Sequence, residues 1–246
     1  MPFSDIHTHI LYKTDDGAKT REEMFELVGK AYEHGTRLLC ATPHFHPGYF
    51  GDNREEMQYA FAVLSEYCKE KYSDLTLVLG NELFYTHDSI SWMKNNLCIP
   101  MGNTRYVLTE FSVDDNEDYI AEGILRLLNI GYIPIIAHAE RYGKLSMGRL
   151  WALRQNGVLV QVNSQSLNFS PVRFMLKKRS MQLLDEKLVD FVSSDAHDVS
   201  KRPPLMQNAY DYLLKKYGKE YAEQLCYSNA VSLFGNNINA EDGNEQ

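Results

Sequence analysis

Short apolar runs alternate with amphipathic helical segments along most of this chain, and that alternation restricts its fold more than any other feature. The runs fall near residues 3–9, 37–42, 75–83, 105–111, 132–138, 158–163 and 189–194. Helical patterning fills 20–34, 53–71, 87–96, 117–130, 146–156, 172–185 and 204–217. In TREEMFELVGKAYEHG, residues 20–35, Thr20 stands as N-cap with Glu23 three later, and Met24, Leu27, Val28 and Ala31 recur at helical spacing up to Gly35. Strands such as YIPIIAH are apolar nearly throughout, as in a parallel sheet covered by helices. The class is therefore α/β. An open doubly wound sheet would show a glycine-rich first turn, which is missing, so about seven units predict a distorted barrel related to the TIM fold, (β/α)7 in count. With 246 residues and 44% hydrophobic composition, one domain over 1–234 is expected, followed by a polar tail at 235–246. Residues 43–52, PHFHPGYFGD, read as an irregular loop over one face.

Charge and composition exclude several functions. Twenty-five basic against 33 acidic residues leave a net charge of -8, which offers nothing to nucleic-acid backbones or anionic lipid. No signal-peptide pattern opens the chain and no run approaches the ~20 apolar residues of a membrane span, so a soluble, cytoplasmic protein is expected. Cys40, Cys68, Cys98 and Cys226 form no CxxC pair, which makes them reduced core thiols. Six residues beyond them stand His46, Asp74, Thr104 and Ser232, never the arginine that a thiolate phosphatase loop requires.

Chemistry gathers at the carboxyl ends of the strands. The first strand ends in His7 and His9, the second runs into His44, the third into Glu82, the fourth into Glu110, the fifth into His138, and the last into Asp195 and His197. In a barrel that edge forms one mouth. The i, i+2 pairs His7/His9 and Asp195/His197 each project to one side, and Asp16 can fold back from the first loop. Imidazoles with carboxylates and no thiolate suit Mn²⁺, Fe or Zn²⁺. An HxH pair alone is as often a solvated strand as a ligand pair; six strand ends together favour a metal, because burying so many charges without a cation is prohibitive. His34 at a helix end and His87 at a helix start are set aside, and His46 is left between ligand and loop. Arg141 and Arg202 follow two of these strands closely, and beside a metal a guanidinium suits bidentate recognition of a phosphoryl group.

Together DIHTHI with DDG, TPHF, GNELFY, LTEFS, IAHAERY, QVNSQS and SSDAHDVSKRPP resemble the polymerase and histidinol phosphatase (PHP) family, and within it the CpsB-type metal-dependent protein tyrosine phosphatases of bacterial capsule clusters. The likeness runs from about residue 3 to residue 217 in the same order, departing beside His44, where Pro43 and Phe45 replace the serine or basic neighbours common in relatives. It implies a PHP-type barrel holding up to three metal ions, usually manganese. By position, His7, His9, Glu82 and Asp195 hold one ion, Glu82 with Glu110 and His138 a second, and Asp16, His44 and His197 the third, with Arg141 and Arg202 on the substrate phosphate.

The reaction so implied is hydrolysis of phosphotyrosine by a metal-bound hydroxide, with the tyrosine-rich tail of an autophosphorylating kinase of polysaccharide export as substrate. A phenolate with pKa of ~10 leaves without a strong general acid, and Asp198 is a candidate for that role by proximity alone. Phe45, Tyr49, Phe50, Tyr85 and Tyr142 offer either a shelf for the tyrosine or ordinary packing. Two alternatives stand beside this reading: a phosphatase for small phosphomonoesters such as histidinol phosphate, and a metal-stabilised binding module without catalysis. Asp5 is expected to orient backbone or an imidazole, and Asp15 to shape the turn.

Overall fold

A computed structural model describes residues 1–168 and 173–235. Nearly all of the expected polar tail, and the first residue of the helix expected at 172–185, lie outside these. The described chain runs β1 (Phe3–Thr8), α1 (Arg21–Glu33), β2 (Thr36–Ala41), β3 (His44–Phe45), α2 (Pro47–Phe50), α3 (Arg54–Lys71), β4 (Thr76–Leu79), β5 (Glu82–Phe84) and α4 (Ser89–Lys94). It continues as β6 (Tyr106–Glu110), α5 (Glu117–Asn129), β7 (Ile133–Ile136), α6 (Met147–Gln155), β8 (Leu159–Asn163), α7 (Phe174–Asp185), β9 (Phe191–Ser193), α8 (Gln207–Tyr217), α9 (Lys219–Glu223) and α10 (Asn229–Phe234).

Every strand pair is parallel, in the orders β1-β2-β4 and β3-β5-β6-β7-β8-β9. Since β2 leads into β3 and β4 into β5, these strands trace the seven runs of the sequence. The two sheets also meet beyond β9, where His9 N–H donates to Ala196 O at 2.8 Å and Asp195 N–H to His7 O at 2.9 Å. A bridge rather than a ladder joins them, and that is one distortion of the barrel.

A second distortion corrects the sequence reading, which drew one strand over 75–83. The strand breaks at Gly80 and Asn81 because the segment before β6 wedges in. Asn81 accepts the N–H of Ile99 at 2.8 Å through Oδ1 and donates to Pro43 O at 3.2 Å through Nδ2. At Gly80 a Cβ would stand 2.8 Å from Met101 Cα, so only glycine admits the crossing. The expected loop 43–52 likewise contains β3 and the single helical turn α2, which Pro47 opens at N1.

The helices follow their sequence signals. Thr20 Oγ1 accepts the N–H of Glu23 at 3.2 Å, while the Glu23 carboxylate accepts the N–H of Lys19 at 2.6 Å, one residue outside the usual capping box. Met24, Leu27 and Val28 of α1 are buried against Met57, Ala60 and Leu64 of α3. Truncating Leu27 to Ala is expected to cost about 2–5 kcal/mol, read by chemical denaturation. Inside the barrel Ile6, Leu38, Val78, Leu108, Ile135 and Phe191 form one cluster, with Phe234 and Ala230 of α10 packed into it. In β1, Asp5 pairs with Leu39 and Thr8 with Ala41, three residues against two, so the strand carries a bulge. The bulge lets Ile6 enter the apolar cluster while the adjacent His7 enters the polar one.

Candidate metal centre

The strand ends bring their polar side chains to one place. His7 Nε2 lies 3.2 Å from Glu82 Oε1 and 3.4 Å from Asp195 Oδ1. His138 Nε2 is 3.0 Å from Glu82 Oε1 and 3.3 Å from Glu110 Oε1. His44 Nδ1 is 3.0 Å from Glu82 Oε2, and His197 Nε2 is 3.3 Å from Asp16 Oδ1. All nine residues singled out as ligands come together, in four overlapping sets: His9, Asp16, His44 and His197; His7, His9 and Asp195; His7, Glu82 and His138; His44, Glu82 and Glu110. His9 thus also faces the Asp16 set, a sharing that position along the chain did not suggest.

The proton positions favour a cation. His7 Nδ1 lies 3.2 Å from Gln161 Oε1, and His9 Nδ1 lies 2.6 Å from Asp15 Oδ2. Both partners are acceptors, so each Nδ1 carries a proton, and in the neutral ring each Nε2 presents a lone pair. Those two Nε2 atoms face each other at 3.2 Å. His197 repeats the arrangement: its Nδ1 donates to Asp195 O at 3.0 Å, and its buried Nε2 has no hydrogen-bond partner among the described residues. Lone pairs converging with carboxylates, and no thiolate, fit divalent cations of the borderline-to-hard kind.

Charge in the cluster is distributed accordingly. Burial works against an ionised Glu82, yet the charges of His7 and His44 hold its pKa well below the ordinary carboxylate value. Asp195 is likewise held well below, against burial, by His7, His9 and Arg202. Burial opposes a charged His9, but Asp15 with Asp195 and Glu82 raises it well above the ordinary imidazole value, and the second proton, on Nε2, is the one a cation would displace. His138, buried and beside Arg141, is still brought up to about 9 by Glu110 and Glu82.

A surrounding layer orients these groups. Gln161 of β8 accepts His138 N–H at 2.7 Å as well as the His7 imidazole, and passes the chain on through Asn163, whose Nδ2 donates to Asp195 Oδ2 at 2.7 Å. Neither residue was singled out from sequence, although the signal existed: a polar i, i+2 pair in an apolar strand, as in His7/His9. Asp15, expected only to shape the turn, accepts Gly17 N–H at 2.8 Å for that purpose and also fixes His9 and the backbone of His44. Asp5 accepts Ser194 N–H at 2.9 Å, which steadies the approach to Asp195. His138 and Asp195 have φ of 32° and 55°, the left-handed region, at a cost of roughly 1–3 kcal/mol each. Their own N–H groups, donating to Gln161 Oε1 and to His7 O, hold them there.

Arg141 Nη2 and Arg202 Nη2 meet the same oxygen, Asp195 Oδ2, at 2.8 and 2.7 Å. Their side chains are 31% and 33% exposed, so both guanidinium groups also reach the mouth. Other candidates fall outside the cluster. His46 stacks on Phe84 at 4.4 Å and its backbone caps α2, which places it in the loop. His34 ends α1, and His87 meets Tyr119 edge-on. Asp198 accepts the N–H groups of Ser200 and Lys201, and despite partial burial those bonds bring it down to about 2, holding its carboxyl toward the ionised form. Of the five aromatic residues, Phe45, Tyr85 and Tyr142 are buried packing, Phe50 stacks on His44, and Tyr49 is 77% exposed. Tyr142 instead accepts the N–H of Phe111 at 3.0 Å and lies 3.4 Å from His138 Nδ1. All four cysteines are buried and unpaired, and burial raises the Cys40 thiol well above its ordinary pKa.

Comparison with known proteins fixes the family. The family described as capsular polysaccharide synthesis, CpsB/CapC, matches residues 3–235. This chain belongs to the CpsB/CapC family. It is 36% identical over 231 residues to the tyrosine-protein phosphatase CpsB of Streptococcus pneumoniae, covering 92% of this chain and 95% of that protein. It is 31% identical to the tyrosine-protein phosphatase YwqE of Bacillus subtilis, over 94% and 91% of the two chains. A crystal structure from work on YwqE and CpsB, described as metal-dependent tyrosine phosphatases, superposes with a TM-score of 0.83 at 29% identity, covering 94% of both chains. A phosphotriesterase homology protein of Escherichia coli shares the fold of this CpsB/CapC chain, with a TM-score of 0.61 at 12% identity. The barrel type read from the strand pattern and the family read from the motifs are both borne out. Among the described residues no helix is long and apolar enough to cross a membrane.

Proposed function

We infer that this chain is a metal-dependent tyrosine-protein phosphatase. The observation that carries the reading is the convergence of three imidazole lone pairs and four carboxylates beside two guanidinium groups at the mouth of the barrel. Relatives over nine-tenths of the chain narrow a general phosphatase site to phosphotyrosine. His7, His9, Glu82 and Asp195 would hold one ion, Glu82, Glu110 and His138 a second, and Asp16, His44 and His197 a third, with Mn²⁺ as the first choice. Bound divalent ions lower the pKa of water and neutralise charge on phosphoryl oxygens.

The protein's own residues supply the remaining steps. Arg141 and Arg202, shared on one Asp195 oxygen, turn outward to clamp the phosphoryl oxygens, binding and orienting them through charge-assisted hydrogen bonds. Asn163 keeps Asp195 in place as they move. The phenolate leaves without a protonated carboxyl beside it, consistent with an ionised Asp198. The proposed substrate is the phosphotyrosine tail of an autophosphorylating kinase of capsule or exopolysaccharide synthesis, met in the cytoplasm. The family's link to capsular polysaccharide synthesis supports that choice. The catalytic unit is assigned to one domain over 1–234.

The test is metal content by mass spectrometry, with turnover of a phosphotyrosyl peptide and of histidinol phosphate before and after chelation. Chelation should abolish turnover, and manganese should restore it. Preference for histidinol phosphate would move the assignment to small phosphomonoesters. Full metal content without turnover would leave a binding module.

A further inference from the structure

Beside Arg141 and Arg202 a cavity of about 70 Å³ reaches a third guanidinium, that of Arg173 at the start of α7. Its Nη1 donates to Gln165 Oε1 at 2.6 Å, which leaves Gln165 Nε2 buried and without a partner among the described residues. Two further donors of the lining are already committed: Ser166 Oγ to Glu140 and Asn163 Nδ2 to Asp195. Asp195 is the one charged acceptor in the lining among the described residues, and it already receives Arg141, Arg202 and Asn163. Three guanidinium groups and an unused amide donor against one carboxylate leave an excess of donors and of positive charge. The volume equals about two waters at ~30 Å³ each, room for two oxygens of a tetrahedral anion.

We propose that Arg173, supported by Gln165, is a third oxyanion-binding residue of this site, taking a phosphoryl oxygen of the substrate and of the inorganic phosphate released. The proposal rests on the phosphatase reading for its substrate, but the anion site itself can be tested without turnover. Arg173 lies at no strand end in the sequence, and the folding of β8 and α7 beside the mouth brings it there.

The test is calorimetric titration of inorganic phosphate into the metal-loaded full chain, together with steady-state kinetics on a phosphotyrosyl peptide. Arg173→Ala should weaken phosphate binding roughly tenfold or more, the size of one charge-assisted hydrogen bond lost. KM should rise similarly, with kcat within about threefold and metal content unchanged. Arg173→Lys should recover part of the loss, and Gln165→Met should show a smaller one. Unchanged phosphate affinity in Arg173→Ala overturns the proposal; should that variant not fold, unchanged affinity in both Arg173→Lys and Gln165→Met does so. If the parent protein fails to hydrolyse phosphotyrosine while phosphate binding still depends on Arg173, the tyrosine-phosphatase reading falls and the anion site stands. If phosphotyrosine is hydrolysed and phosphate binding ignores Arg173, the reverse holds.

Discussion

On the β1, β8 and β9 side of the cluster, His7, His9 and Asp195 are buried, and each is held from outside it, by Gln161, Asp15 and Asn163 respectively. On the side facing solvent, Asp16 is 54% exposed and meets His197 and His44 at 3.3 and 3.6 Å, while Arg141 and Arg202 are about one-third exposed. The deep side is preorganised, with imidazole tautomers and ring angles fixed before any ion or substrate arrives. The open side keeps the freedom that a binding anion needs. The buried groups set the charge of the proposed metal centre, and the more exposed ones are those proposed to meet the ligand.

That contrast can be broken most directly at Glu82, which faces four imidazoles. Glu82→Gln keeps the shape and removes the charge, and turnover of phosphotyrosyl peptide should fall about a thousandfold or more, with loss of bound metal. A loss under tenfold would show that the deep side does not govern the chemistry. Arg141→Ala, on the open side, should lower kcat/KM by about a hundredfold while metal content measured by mass spectrometry stays the same. A concurrent loss of metal would mean that the guanidinium holds Asp195 in place rather than the substrate.

Smaller effects sharpen the comparison. Gln161→Leu and Asp15→Asn touch no proposed ligand atom directly from the mouth, yet each should weaken metal affinity by roughly 10–100-fold, because orientation of His7 and His9 would be lost. Competition with a chelator would measure it, and an unchanged affinity would remove the argument for preorganisation. Least affected should be Asp198→Asn, within about twofold in kcat, since its carboxylate serves the 198–201 turn. A bell-shaped pH profile that lost its basic limb in this variant would restore Asp198 as an acid.

Much of this was legible along the chain. The His7/His9 and Asp195/His197 pairs could be read because the period of a strand is two, and Thr20 and Gly35 bounded α1 because caps and glycine termini are local. Asp15 was misjudged in part because its hydrogen bond to Gly17 is local, whereas its grip on His44 spans 29 residues. Tyr142 and Phe45 read as either shelf or packing because an aromatic side chain does not declare its burial. The break at Gly80 and Asn81 depends on a segment about twenty residues later, and no window on the strand itself contains that information.

The sequence by itself determined the alternating α/β order, the placement of polar groups at strand ends and the chemistry of the donor set, since each depends on residue type and short periodicity. Tertiary structure alone decided which groups face one another: His9 turned toward two ligand sets, Gln161 spanning His7 and His138, and Arg173 brought near Arg141. Those relations arise from the closeness of strands far apart along the chain, where burial and the limited supply of donors and acceptors select the partners.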